Sequence, residues 1–214
     1  MGFIFDPNLV LYLPLYELDG ASFMSRDAYG HLCAVTGDLW RPNGRFFDGT
    51  DDKIVIPDHE SLRGTAGITI AVAIREDGFG NHQHIVSKHN ATVKKGWTLF
   101  LHSGGAFYFQ IGDGVTWPVA SAISATYSAT DWYYVIAWND GTTIGVSVNG
   151  VESTGTGGTI ASHTPDVWVG RSVQDNNFTF NGVISEALMF RRAFNAVERQ
   201  RFYLGAKQRM PWLR

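Results

Sequence analysis

Apolar and polar positions in this chain alternate in short runs broken by glycine pairs, and the clearest run is Trp132–Gly150, WYYVIAWNDGTTIGVSVNG. Asp140-Gly141 and Asn149-Gly150 divide it. Such Asx-Gly pairs supply the positive φ of tight turns, so the segment predicts a β-hairpin. Strand neighbours point to opposite faces. In the first strand Tyr133, Val135 and Ala137 form one set and Trp132, Tyr134, Ile136 and Trp138 the other, and both sets are apolar. A strand of this kind is covered on both faces or displays one of them for binding.

The same reading places an opening strand at Leu9–Tyr16, followed by a polar loop through Gly30. Phe46-Phe47 ends a strand, Asp48-Gly49 turns the chain, and Ile54-Val55-Ile56 begins the next. Further strands are expected at Thr69–Arg75, His84–Ser87, Trp97–His102 and Ala106–Gly112, the last two joined through Gly104-Gly105. One helix signal stands out near the end. Asn195 can cap and Glu198 can reach back to it, which predicts a short helix from Ala196 to about Leu204.

Composition narrows the class. A chain of 214 residues, 44% hydrophobic and 14% aromatic, can bury a full core as one domain. Eight Asp-Gly or Asn-Gly pairs, at residues 19, 43, 48, 77, 113, 140, 149 and 181, favour an all-β fold. A net charge of −3 and a pI near 6.1 give no basic field for phosphates, so nucleic acid is not an expected partner. Cys33 is the only cysteine; it excludes an intrachain disulfide and a thiolate zinc cluster, and reads as a small buried residue. No stretch reaches the roughly 18 apolar residues of a membrane span. Leu9–Tyr16 lacks a basic flank and contains Pro14, so it reads as a strand and not a secretion signal. Met1-Gly2 is followed by Asp6 where myristoylation requires Ser or Thr. Reaching the outside of a cell would then require lysis, assembly into a particle, or a leader beyond this sequence.

Four blocks carry a family resemblance: Gly44–Asp58 (GRFFDGTDDKIVIPD), the hairpin Trp132–Gly150, Asp166–Arg171 (DVWVGR), and Phe180–Ala193 leading into Arg192-Ala193-Phe194-Asn195-Ala196-Val197-Glu198. In this order they resemble laminin-G-like domains of the concanavalin A-like group. The resemblance covers almost the whole chain. It implies an all-β, jelly-roll-like sandwich of two antiparallel sheets with one short C-terminal helix, residues 1–206 forming the domain and 207–214 a tail. It also implies that Val135 and Ala137 pack between the sheets, leaving Tyr134, Ile136 and Trp138 on the other surface of their sheet. The family usually has Trp where this chain has Ala73. Trp138 is therefore expected to fill the space over Ala71 and Ala73, or else to serve as a ligand platform. The ending KQRMPWLR is loosely similar to Pro-Trp-rich tails of bacteriophage-encoded members.

Since the family consists mostly of binding modules, the resemblance implies a noncatalytic binding or structural module. The expected setting is a bacteriophage virion, as a capsid decoration, head-fibre or tail-associated protein with glycan adhesion as a further property. Virion proteins and copies of the chain itself are the expected partners, with cell-surface glycan as a third. A carbohydrate-binding lectin domain of a secreted or surface protein is the alternative, and a glycoside hydrolase the third reading.

Retaining glycoside hydrolysis needs two carboxyls roughly 5 Å apart. Glu17-Leu18-Asp19 runs into Gly20-Ala21, and the last long strand carries Glu186 alone between Ser185 and Ala187, so these acids read as structural. Asp48, Asp51 and Asp52 crowd one turn, with Asp27 from an earlier loop as a fourth carboxylate; hard oxygens suit a structural calcium, and turn hydrogen bonding is the alternative. Where the family tends to have Asp in the late strand this chain has Ser185, which weakens any site relying on that strand. His82-Gln83-His84 and His89 are read as exposed or hydrogen-bonded imidazoles before transition-metal ligands. Asn90-Ala91-Thr92 and Asn177-Phe178-Thr179 match the glycosylation sequon. Sugar rings need aromatic surfaces beside polar groups. Tyr108 and Trp117, with Gln110, Asp113 and Asn139 as polar partners, are the candidates. An assembly surface is expected at Trp138 and at Trp212 and Leu213 of the tail, rimmed by Lys207, Arg209 and Arg214.

Overall fold

A computed structural model of the chain describes residues 3–64, 67–78, 80–118, 120–174 and 178–213; Met1, Gly2, the sequon residue Asn177 and Arg214 lie outside them. The described residues open with β1 (Leu9–Pro14), β2 (Ser22–Met24), β3 (Leu32–Thr36), β4 (Leu39–Arg41), β5 (Gly44–Asp48) and β6 (Lys53–Ile56). Then come β7 (Ile68–Glu76), β8 (Gln83–Asn90), β9 (Lys95–Leu101), β10 (Ala106–Asp113) and β11 (Ala120–Thr126). The last third holds β12 (Trp132–Asn139), β13 (Thr143–Val148), β14 (Val151–Thr156), β15 (Val167–Val169), β16 (Asn181–Phe190) and the helix α1 (Ala196–Arg209).

These strands make two antiparallel sheets. The first has the order β14-β13-β12-β7-β16-β5-β4, with β1 also paired to β16; the second has the order β11-β10-β9-β8-β15-β6-β3-β2. The expected hairpin is β12–β13, and Asn149 and Gly150, with φ of 50° and 86°, make the next tight turn into β14. Alternation places Ile70, Val72 and Ile74 of β7 and Val135 and Ala137 of β12 between the sheets, where they meet Leu99, Phe107 and Phe109. Cys33 lies fully buried in the same core.

The outer face of the first sheet is covered by α1. Asn195 and Glu198 form the reciprocal cap that starts this helix. The helix continues past Leu204 to Arg209, because Ala206 and then Met210 pack on the sheet and tertiary burial sustains turns that Gly205 weakens. A bulge in β16 between Ile184 and Glu186 turns both Ser185 and Glu186 toward the helix, where Ser185 meets Met210 and Glu186 meets Arg209 at 2.8 Å. Tyr134 donates its hydroxyl to the same carboxylate at 3.0 Å. Glu186 is fully buried; burial pushes its carboxyl up, and the Arg209 guanidinium counteracts that push.

This covering corrects three expectations. Tyr134 and Ile136 are not an open face: they share a buried cluster with Ala71, Ala73, Met210 and Leu213. Trp138 does not lie over Ala71 and Ala73, which stand opposite Ile136 and Tyr134. Its ring fills the space beside Gly145, where an added Cβ would fall 2.1 Å from it, and Arg199 caps the ring at 3.7 Å. Trp212 and Leu213 face inward as well. Leu213 is buried and Trp212 packs edge-on against Tyr16, so the apolar end of the tail lies against the chain's own sheet.

Candidate functional site

The outer face of the second sheet has no helix over it. Register builds its floor: His84 of β8 stands opposite Phe100 of β9, and Phe100 opposite Tyr108 of β10. A neighbouring rung pairs Thr98 with Gln110, and another sets His89 against Gly96 and Gly96 against Gly112. The two glycines leave that rung open, and Trp117 from the loop after β10 fills it; a Cβ on Gly112 would lie 2.4 Å from the indole. An irregularity in β8 between His84 and Val86 sends Ile85 and Val86 inward while His84 and His89 stay outward.

The rings stack on one another. His84 lies 5.1 Å from Phe100 with planes 12° apart, Phe100 lies 5.1 Å from Tyr108, and His89 bridges His84 to Trp117 at 5.3 and 5.1 Å. Phe178 also stacks with His84, at 5.6 Å, and His82 and His102 meet at 4.4 Å. Parallel offset stacking is the favourable geometry for such pairs. Above this floor is a cavity of about 560 Å³, within the usual range of ligand sites. One wall is held by Gln174, whose amide accepts from Ala91 N at 2.5 Å and donates to Thr92 Oγ1 at 2.9 Å.

Burial pushes the His84 imidazole well down, His89 and His82 adding to the effect, and His89 is pushed down to about 4 by burial and then by His163. His82 is lowered by burial and by His102. These three rings are therefore neutral at pH 7. Thr98 Oγ1 and His84 Nδ1 are hydrogen-bonded at 2.8 Å. The half-buried Tyr108 hydroxyl and Gln110 amide have no partner among the described residues, so both are available to a ligand.

Of the sequence candidates for a ligand site, Tyr108, Gln110 and Trp117 come together around this cavity. Asn139 does not. It ends β12 in the opposite sheet, fully buried, and holds Gly158 through both its amide groups. Asp113 is absorbed in its turn, accepting from Val115 N and Thr116 N. Sequence reasoning missed Phe100, His102 and Phe178, and read His82, His84 and His89 as ordinary polar residues. The outward positions of β9 and β10, Thr98, Phe100, Tyr108 and Gln110, were the usable signal, since they alternate with core residues Leu99, Phe109 and Ile111.

The carboxylate cluster is smaller than expected. Ligand atoms of Asp48, Asp51 and Asp52 lie within 4.8 Å of one another, the one such group among the described residues. Turn bonds already engage it, Asp52 accepting from Asp48 N and Asp48 from Thr50 N, both at 2.8 Å. Asp27 is not part of it. Its carboxylate accepts from Tyr12 N and Tyr29 N and lies 4.0 Å from His31.

Among solved structures, the fold is similar to Trypanosoma rangeli sialidase in complex with sialic acid, with a TM-score of 0.74 and 15% identity over 96% of this chain and 34% of that one. The binding domain of Paraclostridial Mosquitocidal Protein 1 gives 0.70 at 14% identity, covering 92% of this chain and 52% of that one. The binding domain of Botulinum Neurotoxin DC in complex with SialylT gives 0.68 at 12% identity, covering 93% and 52%. The chain thus spans about a third to a half of these proteins, and at such identity the likeness speaks for the fold alone. A search of curated protein sequences finds no match. At the level of family the two-sheet fold and the sequence agree: a family model matches residues 48–198, and the chain belongs to the concanavalin A-like lectin/glucanases superfamily.

Proposed function

We propose that this chain is a noncatalytic glycan-binding module and that the cavity over β8, β9 and β10 is its site. One observation carries this reading: a cavity of about 560 Å³, walled by aromatic rings, holds a hydroxyl and an amide with no partner among the described residues. Sugars need that combination, because apolar C–H surfaces contact rings while hydroxyls bond polar groups. The family supports it, as do the sialic acid and SialylT complexes of the sialidase and neurotoxin relatives. The noncatalytic half rests on the acids. Glu17 and Asp19 are exposed, and Glu186 is tied to Arg209 beneath the helix on the opposite sheet.

A glycan array probed with the purified chain tests the proposal. Retention of defined glycans that Trp117→Ala and Gln110→Ala each weaken, with no release of reducing ends from β-glucans, is the expected result. Binding untouched by both substitutions would remove the cavity from the function. For the setting, the loose similarity of residues 207–214 to the Pro-Trp-rich C-terminal tails of bacteriophage-encoded family members supports a bacteriophage virion component, with a secreted or surface lectin domain as the alternative. Recovery of the chain with purified particles separates the two.

A further inference from the structure

Given the glycan reading, on which this step rests, the charge around the cavity restricts the class of sugar. No Asp, Glu, Lys or Arg lines it among the described residues. Paired cations lie elsewhere, among them Arg45 with Asp38, Arg63 with Asp58, Arg199 with Glu152 and Arg209 with Glu186. The two buried imidazoles of the floor, His84 and His89, are held neutral by burial, with His89 and His82 adding to the effect on His84 and His163 to that on His89. A carboxylate or sulfate entering the cavity would give up part of its water shell and meet no opposite charge among the described residues. An uncharged sugar loses only hydroxyl hydration, and the Tyr108 hydroxyl and Gln110 amide can replace it. We infer that the cavity over β8, β9 and β10 selects uncharged pyranosides and excludes glycans carrying sialic acid, uronic acid or sulfate at the bound residue. The class therefore differs from the sialic acid seen with the sialidase relative.

The test is an array of matched pairs at pH 7.4, neutral oligosaccharides beside the same oligosaccharides bearing terminal sialic acid or sulfate, read as apparent Kd. Neutral members should be retained and their charged partners bound roughly tenfold or more weakly. Ala91→Arg adds a cation to the cavity lining at a position that the glycan reading does not use and keeps the backbone bond to Gln174, so it should narrow that gap. Charged members bound as well as or better than neutral ones would overturn the inference while leaving the glycan reading intact. A gap that Ala91→Arg leaves unchanged would likewise contradict it. Failure of every glycan, neutral and charged, would overturn the glycan reading and this inference with it.

Discussion

Both sheets of this sandwich carry aromatic side chains on their outer faces, and the chain treats the two faces in opposite ways. On the first sheet Tyr134, Ile136 and Phe190 are covered by α1, and a buried Glu186–Arg209 pair fastens the helix in place. On the second sheet His84, Phe100 and Tyr108 form a comparable row with a cavity above it. The covered row is almost wholly apolar, and its one hydroxyl, on Tyr134, is bonded to Glu186 inside the protein. The open row mixes rings with imidazole, amide and hydroxyl groups, some without partners. An outer face that is purely apolar is thus one the chain must cover itself, whereas a mixed aromatic and polar face can stand in water and still offer ring surface to a ligand.

The largest expected effect comes from unsealing the first face. Ending the chain at residue 206 removes Arg209, Met210 and Leu213 and leaves Glu186 buried without its cation. Urea denaturation should show a loss of about 3–5 kcal/mol, the usual cost of stranding one member of a buried pair. A truncated chain as stable as the full one would show that the helix end is dispensable.

Acid should weaken the other face. His89 in the folded chain titrates near 4, below its ordinary 6.5, so the unfolded chain takes up the proton first. The stability tied to its neutral form is whole above pH 6.5 and drains as pH falls toward 4, by on the order of 3 kcal/mol. His89→Gln should flatten the stability profile between pH 7 and 4 relative to the parent chain. Parallel profiles would mean that His89 titrates normally.

Two smaller effects separate binding from folding. Trp117→Ala should weaken glycan binding by roughly tenfold, a loss of about 1.4 kcal/mol, while shifting the urea midpoint little because Trp117 is only half buried. Tyr108→Phe keeps the stack with Phe100 and removes one hydroxyl, so it should cost about 1 kcal/mol of binding and almost nothing in stability. Equal losses in binding and stability for either variant would make the row a structural feature of the sheet.

The parts of the fold legible in the sequence were those set by local chemistry. Asx-Gly pairs marked turns, alternation separated Val135 and Ala137 from Tyr134 and Ile136, and Asn195 with Glu198 marked the helix start. The helix end was not legible, because Gly205 is a poor helix former and the turns beyond it depend on Met210 and Arg209 finding partners in β16. The bulge that turns Glu186 toward Arg209 leaves no mark in the pattern of residues. Within the candidate site, Tyr108, Gln110 and Trp117 were found from residue type beside turns. Asn139 matched the same description and fell on the wrong sheet, since nothing local to β12 says which sheet it joins. The histidines were undervalued because their stacking depends on register between β8 and β9, a long-range property.

The contrast between the two faces is tested most directly by backbone amide chemical shifts, recorded as the chain is titrated with the neutral oligosaccharide best retained on the array. The expected shifts fall on Phe100, Tyr108, Gln110 and Trp117, with the amides of α1 unmoved. Shifts confined to α1, or to the turn of Asp48, Asp51 and Asp52, with β9 and β10 unmoved, would contradict it.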